Sequence, residues 1–293
     1  MSTDLIKNNK IILGTAQFGM DYGIANQSGR VNNREIESIL NFAHKNGINT
    51  LDTAKIYGES EKSIGNYLKN TNKKWNVITK IKHTEESILK QLDDSREKLT
   101  INPSILLAHT AELYINKKFQ LMLQRVKVEK LIHTIGVSLY NEKEINQVLE
   151  MEIKPEIIQL PINILDTRLY RSGILSELYK RGIEIHVRSV FLQGLFYLSK
   201  TDLRSRFEDV VPHLNQLESI ALRDNLTIAE LSLLWIVSLN EISKVIIGID
   251  NLSQLKEHLR TLNKSIETSV FEEALSICYE NEKILNPSLW QIT

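Results

Sequence analysis

Short apolar runs alternate along the chain with longer segments in which apolar residues recur every three or four positions. Such runs are typical of β-strands, and the longer segments are typical of amphipathic helices. The runs predict eight strands, at residues 10–14, 48–52, 75–81, 104–109, 133–138, 156–160, 183–190 and 244–248. The order along the chain is therefore strand then helix, repeated.

The predicted helices carry recognisable end signals. Asn33 precedes one helical pattern, and Gly47 follows it where a left-handed C-terminal residue is expected. Thr84 precedes the helical pattern after the third strand. Asn141 and Thr227 each stand three residues before a glutamate, which is the spacing of a capping box. These signals support helices between the strands.

Most of the predicted strands are continuous apolar runs, which is typical of strands buried on both faces of a parallel sheet. Eight strand–helix units in about 250 residues fit a (β/α)8 barrel better than a doubly wound sheet. No linker, short repeat or low-complexity tract divides the chain. We therefore expect an α/β fold, a single TIM-barrel domain over residues 1–293, with its functional groups at the C-terminal ends of the strands.

Composition excludes several classes of protein. The chain has 36 Lys+Arg and 36 Asp+Glu, so no net field favours nucleic acid or an anionic membrane. The single cysteine, Cys278, allows no internal disulfide and fits a reducing compartment. No CxxC or HExxH spacing indicates a metal site, and the N-terminal apolar run at 11–13 is too short for a signal peptide. We expect a cytoplasmic monomer or small homo-oligomer with a small-molecule partner.

Four titratable side chains follow three neighbouring strands. Asp52 ends the second strand, Tyr57 lies in the loop after it, Lys80 stands near the end of the third, and His109 ends the fourth. Each taken singly has an ordinary structural explanation: a helix-flanking carboxylate, a packing residue, a solvated charge and a satisfied core histidine. Their joint placement at one rim favours a functional site.

The chemistry of these four groups fits one task. An ammonium beside a phenol is expected to lower the phenol's pKa, and Asp52 would hold Lys80 charged and oriented. A tyrosine acid facing a carbonyl oxygen suits protonation of the alkoxide that forms when hydride reaches the carbonyl carbon. None of the four can supply hydride, so a nicotinamide cofactor would have to do so. Lys82 is a second candidate for the lysine.

Seven motifs in chain order resemble the aldo-keto reductases: LGTAQFG, LDTAKIYGESEKSIG, ITKI, LLAHT, IGVS, IIQLPIN and VIIGIDNLSQLKEHL. The resemblance covers about residues 11 to 262. It implies that Asp52, Tyr57, Lys80 and His109 form a catalytic tetrad with Tyr57 as the general acid. It also implies a nicotinamide dinucleotide bound across the barrel mouth, and reduction of an aldehyde or ketone to an alcohol.

The same resemblance implies a set of cofactor contacts. Ser138 and Gln159 would hold the nicotinamide carboxamide, and Gly248 with the start of the next helix would take the pyrophosphate. The end of strand 7, Arg188 and Ser189, would face the nicotinamide ring. The loop after strand 8, with Asp250, Asn251 and Gln254, would face the ribose.

Two positions depart from the family pattern. Leu139 replaces an asparagine that usually follows the serine of GVS, and Arg188 replaces an aromatic residue that usually stacks on the nicotinamide. A guanidinium plane can also stack on a ring.

At the ribose, Asn251 and Gln254 stand where many members have Lys and Arg, and Asp250 should disfavour a phosphate dianion. The resemblance nevertheless favours NADP(H) over NAD(H).

The substrate pocket and two further side chains complete the predictions. The segment after His109 is short, which predicts an open pocket and a bulky or polar substrate, with a sugar-related carbonyl as one candidate. Side chains expected to line the pocket are Phe18, Tyr22, Phe191 and Trp290. Trp235 and Cys278, both at helical spacing, are expected in the core.

Three functional hypotheses remain open on the sequence. The first is an NAD(P)H-dependent carbonyl reductase. The second is a cofactor-binding regulatory subunit on the same fold with little turnover, similar to potassium-channel β subunits. The third is an unrelated barrel enzyme such as an isomerase, which would bind no nicotinamide.

Overall fold

Eight parallel strands close into a barrel in the computed structural model, which describes residues 8–82 and 87–290. The strands, β1 to β8, are Ile11–Gly14, Thr50–Asp52, Asn76–Ile81, Ile105–Ala108, Thr134–Ser138, Ile157–Pro161, Glu184–Arg188 and Ile242–Gly248. Neighbours in the barrel are neighbours in the chain, and β8 pairs with β1. The predicted TIM barrel is confirmed, with strand ends shifted by one or two residues.

Helices separate the strands and pack outside the barrel. They are, as α1 to α15, Ala16–Gly19, Asn33–Lys45, Ser60–Leu68, Ile88–Leu99, Ala111–Ile115, Lys117–Val128, Glu142–Leu149, Arg168–Arg171, Ile174–Lys180, Lys200–Arg206, Val211–Arg223, Ile228–Ser238, Leu252–Thr261, Thr268–Ser276 and Glu282–Leu285. Short 3-10 helices lie at Leu192–Tyr197, Glu208–Val210 and Pro287–Leu289.

The end signals of the helices are mostly confirmed. Asn32, not Asn33, caps α2, because its side chain accepts from the Glu35 amide. Thr227 and its glutamate form the predicted capping box of α12. Gly47 has a φ of 84°, a left-handed conformation that glycine adopts without strain. Thr84 lies outside the described residues.

Two hydrophobic clusters form because side chains alternate along each strand. The outward-facing residues pack against the helices, and Trp235 of α12 is 1% exposed among them, as predicted. The inward-facing residues fill the barrel with a smaller cluster of Ile12, Ile78, Leu107, Ile157 and Ile246. This inner cluster fills the barrel below the C-terminal rim.

Cys278 does not belong to the core. The prediction that it is a buried residue on a helix is wrong, because α14 ends at Ser276 and the thiol is exposed. The segment that follows is held by Tyr279, whose hydroxyl donates to Asp209 at 2.9 Å. The exposed position makes Cys278 a free thiol on the surface.

A buried histidine in α13 is expected to couple stability to pH. His258 stacks on Phe191 with ring centroids 4.8 Å apart, and burial lowers the pKa of its imidazole to about 4. In the unfolded chain this imidazole has an ordinary pKa of about 6.5. Between that pH and about 4 it therefore binds a proton in the unfolded chain but not in the native state. The neutral, buried His258 therefore contributes to stability above pH 6.5, and this contribution is lost as the pH falls from 6.5 to about 4.

We expect His258→Gln to reduce the loss of stability between pH 7.5 and 5.0 by about 2 kcal/mol, from the difference between the two pKa values. Urea unfolding of both proteins at the two pH values measures this. The same substitution at the exposed His133 is the control for replacing a histidine by glutamine. Equal pH dependence in wild type and His258→Gln would contradict the prediction.

Candidate active site

Strand alternation directs the candidate groups into the barrel mouth. In β3 the side chains of Val77 and Ile81 belong to the outer cluster, whereas Ile78 belongs to the inner one. Lys80, two residues after Ile78, therefore points inward near the C-terminal end of its strand. The same alternation directs inward the side chains of Asp52, Ser138 and Arg188, which end β2, β5 and β7 at the C-terminal rim of the barrel.

An ion pair between Lys80 and Asp52 lies at the bottom of the site. The two residues are 1% and 3% exposed, respectively. Lys80 Nζ also donates to the carbonyl of Thr53 at 3.0 Å, and the second carboxylate oxygen of Asp52 accepts from Gln159 Nε2 at 2.5 Å. Burial lowers the pKa of Lys80, and the Asp52 carboxylate opposes this shift. Asp52 thus fixes the position of the ammonium group.

Tyr57 lies above this pair, on a loop held by close backbone packing. Its hydroxyl is 3.5 Å from Lys80 Nζ, which lies 5.0 Å from the centre of the tyrosine ring. Gly19 contacts the loop so closely that a Cβ there would lie 1.8 Å from the Tyr57 carbonyl oxygen. The Glu59 amide donates to the Gly19 carbonyl at 3.2 Å, which ties α1 to the loop. Only glycine permits this approach.

The pKa of Tyr57 shifts in the opposite direction to our expectation. We expected the lysine to lower it, but burial raises the pKa of Tyr57, and the Asp52 carboxylate raises it further. The positive charge of Arg188 opposes the increase. The expectation fails because the Asp52 carboxylate offsets the charge of the lysine and because burial disfavours the charged phenolate. Tyr57 therefore keeps its proton at neutral pH and has one to donate.

His109 follows β4, which ends one residue earlier than predicted. Its ring meets Tyr57 edge to face, with centroids 6.1 Å apart. Burial lowers the pKa of the imidazole to about 3, and the charges of Lys80, Arg188 and Lys82 add to this effect. The ring is therefore neutral across the physiological range. A neutral imidazole N–H can donate a hydrogen bond without becoming a competing acid.

Arg188 reaches back from β7 to the end of β5. Its Nε donates to Ser138 Oγ at 3.2 Å, its Nη2 donates to the Leu139 carbonyl at 3.2 Å, and its Nη1 lies 3.4 Å from Ser189 Oγ. The guanidinium also lies 4.2 Å from the centre of the Tyr140 ring. The guanidinium is thus held on the rim between β5 and β7.

The loop after β8 is occupied by its own side chains and by one carboxylate from α2. Asn251 caps α13 by accepting from the Gln254 amide, and Gln254 in turn exchanges hydrogen bonds with Asp250 at 2.8 and 3.0 Å. Glu35 accepts from the amide of Leu252 at 2.6 Å. The backbone amides of residues 250, 252 and 254 at this helix start therefore already have acceptors within the protein.

These side chains surround a cavity of about 410 Å³ at the barrel mouth. Tyr57, Lys80, Asp52 and His109 line it together, as do the predicted cofactor residues Ser138, Arg188, Ser189, Gly248, Asp250 and Gln254. Gln159 is fully buried beneath Asp52, and Asn251 faces its own helix, so neither lines the cavity. The structure thus brings the tetrad and most of the predicted cofactor residues to one pocket.

The model of the family described as "Aldo/keto reductase family" matches residues 10–277. The chain belongs to this family. Its members' structures share the fold: an aldo-keto reductase from Bacillus halodurans in its holo form superposes with a TM-score of 0.74 at 18% identity, covering 94% of this chain and 95% of that chain. A glycerol dehydrogenase from Gluconobacter oxydans superposes with a TM-score of 0.70 at 20% identity, covering 97% of this chain and 94% of that chain.

A third neighbour carries ligands. The aldo/keto reductase from Klebsiella pneumoniae, solved in complex with NADP and acetate, superposes with a TM-score of 0.68 at 14% identity, covering 90% of this chain and 89% of that chain. Identities this low show the shared fold. Family membership makes the present chain an oxidoreductase. Across residues 8–82 and 87–290, this aldo/keto reductase has no helix of the length and apolarity needed to cross a bilayer.

Two of the four aromatic residues expected in the pocket of this aldo/keto reductase line it. Tyr22 and Phe191 do so. Phe18 is 1% exposed and belongs to the hydrophobic core. Trp290 instead packs on Phe207, with ring centroids 4.9 Å apart. The two errors arise because short distance along the chain from a pocket loop does not determine which way a ring points.

Sequence reasoning missed three contributors to the site. Tyr140 supports Arg188, Gln193 donates to the Tyr22 hydroxyl at 2.7 Å, and Glu35 binds the start of α13. Tyr140 could have been found from its position two residues after Ser138. The other two contacts join residues that are separated by 171 and 217 positions in the chain, so no local sequence pattern predicts them.

Proposed function

We propose that this aldo/keto reductase reduces an aldehyde or ketone to an alcohol with NAD(P)H. The observation that carries the proposal is the convergence of Tyr57, Lys80, Asp52 and His109 in one pocket, with the phenol protonated and the imidazole neutral. A reduced nicotinamide would supply the hydride. The alternative of a regulatory subunit with little turnover has no separate structural observation in its favour.

Each group of the tetrad has a role that its contacts support. The Tyr57 hydroxyl donates its proton to the carbonyl oxygen as negative charge develops there. Lys80, 3.5 Å away, stabilises the phenolate that results, and Asp52 holds the ammonium in place. His109, which is neutral, donates an N–H to the same carbonyl oxygen and orients it.

An unpartnered polar atom in the site fits a nicotinamide dinucleotide. Asp250 lines the cavity, and its Oδ1 is buried without a hydrogen-bond partner among the described residues. A ribose brings hydroxyl donors, so this orphaned acceptor matches one part of the cofactor. Ser138 and Arg188 would hold the nicotinamide end, and Asp250 with Gln254 the ribose end.

The charges at the ribose end favour NAD(H), although the family resemblance alone favours NADP(H). Asp250 lines the cavity, and the carboxylate of Glu35 occupies the start of α13. No Lys or Arg lines the described cavity at this end, where Gly248, Gln254 and His258 are the neighbours. A 2′-phosphate would meet negative charge there, whereas ribose hydroxyls would meet acceptors.

Asp250→Ser is expected to improve the affinity for NADPH relative to NADH by about tenfold, because it removes one charge close to the phosphate. Fluorescence titration of both nucleotides against wild type and variant measures this ratio. Asp224→Ser, in an exposed turn that does not line the cavity, is the control. An unchanged NADPH to NADH ratio in Asp250→Ser would show that Asp250 does not face the ribose.

We further propose a polar, hydroxylated carbonyl such as a sugar aldehyde as the substrate. Tyr22, Tyr140, Gln193 and His109 give the cavity wall many hydrogen-bonding groups. A structural neighbour is named a glycerol dehydrogenase, which is consistent with a polyol or its carbonyl form. The protein is proposed to act in the cytoplasm, as a single-domain monomer or small homo-oligomer.

Nucleotide titration followed by a panel of carbonyl compounds tests the proposed function. We expect a reduced nicotinamide to bind and to be oxidised only when an aldehyde or ketone is present. Tight binding with no turnover across sugar aldehydes, small aldehydes and ketones would favour the regulatory subunit instead. Absence of binding by both NADH and NADPH would contradict the proposal altogether.

A further inference from the structure

The cavity contains one positive charge without a negative partner. All of the hydrogen-bond acceptors of Arg188 are uncharged: two serine hydroxyls and the Leu139 carbonyl. Among the described residues, the carboxylates that line the cavity are Asp52 and Asp250. Asp52 is paired with Lys80, and Asp250 interacts with Gln254. The charge of Arg188 is therefore not neutralised within the described part of the site.

The guanidinium is held in place. Three hydrogen bonds fix its plane, and Tyr140 packs against it at 4.2 Å. Ser189, which shares one of these bonds, has a φ of 60°, and its carbonyl accepts from Asn163 Nδ2 at 3.2 Å. A charge anchored in this way cannot easily turn out to solvent when a ligand of the same sign enters. It acts as a fixed electrostatic element of the pocket.

The field of Arg188 reaches the reacting groups. Its charge opposes the increase in the pKa of Tyr57 and contributes to the decrease in the pKa of His109. Ser138, to which Arg188 donates, is one of the residues proposed to hold the nicotinamide carboxamide. A nicotinamide bound beside Ser138 would therefore lie within the field of the guanidinium.

We infer that Arg188 makes the pocket bind the reduced nicotinamide more tightly than the oxidised one. The inference rests on the proposed function, namely that a nicotinamide dinucleotide binds in this cavity. The oxidised nicotinamide ring carries a positive charge, and the reduced ring is neutral. A fixed cation next to the ring raises the free energy of the oxidised form and leaves the reduced form largely unaffected. The charge of Arg188 would thus favour exchange of the oxidised cofactor for the reduced one.

The test compares two oxidation states in three proteins. NADH and NAD+, or NADPH and NADP+ if the wild type prefers these, are titrated against wild type, Arg188→Gln and Arg188→Lys. We expect Arg188→Gln to lower the ratio of the oxidised to the reduced dissociation constant by about tenfold. Arg188→Lys keeps the charge and should retain most of the wild-type ratio even where the lost hydrogen bonds weaken both ligands.

The ratio separates electrostatics from structure. If Arg188 only supports the rim, both dissociation constants rise together in Arg188→Gln and the ratio stays constant, which would overturn the inference. The same conclusion follows if the ratio is unchanged but inhibition by carboxylate analogues of the substrate weakens, because Arg188 would then bind an anionic substrate group. Failure of wild type to bind either oxidation state would instead contradict the proposed function.

Discussion

Tyr57→Phe is expected to lower kcat/KM for carbonyl reduction by about 10³-fold, because the variant loses the proton that the carbonyl oxygen must receive. The dissociation constant for the reduced nicotinamide should stay within about twofold, since the phenyl ring still fills its place beside His109. Steady-state kinetics and fluorescence titration measure the two quantities. The combination distinguishes a general acid from a residue that merely shapes the cofactor site.

Tyr22→Phe is the matched control for this prediction. It also removes a tyrosine hydroxyl that faces the cavity, one that accepts from Gln193 at 2.7 Å rather than lying beside Lys80. Its kcat/KM should fall far less than that of Tyr57→Phe. Equal losses in the two variants, or a nearly wild-type rate in Tyr57→Phe, would contradict the assigned role of Tyr57.

Lys80→Met is expected to reduce both stability and activity. The substitution keeps the length of the side chain but leaves the buried Asp52 carboxylate without its counter-ion, which typically costs about 3 to 5 kcal/mol of unfolding free energy. The rate of reduction should also fall, because the cation nearest to the Tyr57 hydroxyl, 3.5 Å away, is lost and the phenolate is less well stabilised. Urea unfolding and steady-state kinetics measure the two effects separately.

A double variant separates these two consequences. Asp52→Asn combined with Lys80→Met removes both charges, so most of the lost stability should return while the activity stays low. Recovery of activity along with stability would mean that the lysine acts only by supporting the fold. No loss of stability in Lys80→Met would show that Asp52 reaches water or another partner.

The barrel and the meeting of the four candidate groups in one pocket could be predicted from the sequence because their signals are local. Each strand is a short apolar run, and each candidate group falls near the end of one or, in the case of Tyr57, in the loop that follows it. Strand parity then directs Asp52, Lys80 and Ser138 inward without any knowledge of tertiary contacts. For the same reason Thr227 was predicted correctly as a capping residue, and Asn33 was one position away from the observed cap.

What could not be predicted depends on contacts between distant strands. The Arg188 guanidinium bonds to Ser138, fifty residues away, so its partners appear only when β5 and β7 are brought together. Likewise, the Glu35 carboxylate meets the start of α13 only in the closed barrel. The pKa of Tyr57 depends on how deeply the phenol is buried and on the nearby charges of Asp52 and Arg188, which no sequence pattern reports. These features determine how charge is distributed in and around the pocket.

The most direct test of the central claim is hydride transfer under single-turnover conditions. Enzyme in excess is mixed with a reduced nicotinamide carrying two deuterium atoms at C4 and with a carbonyl compound that the panel identifies. The tetrad predicts one deuterium on the carbinol carbon of the alcohol formed by the wild type, and almost none formed by Tyr57→Phe in the same time. An alcohol that carries no deuterium, or a bound nicotinamide that no aldehyde or ketone oxidises, would contradict the account.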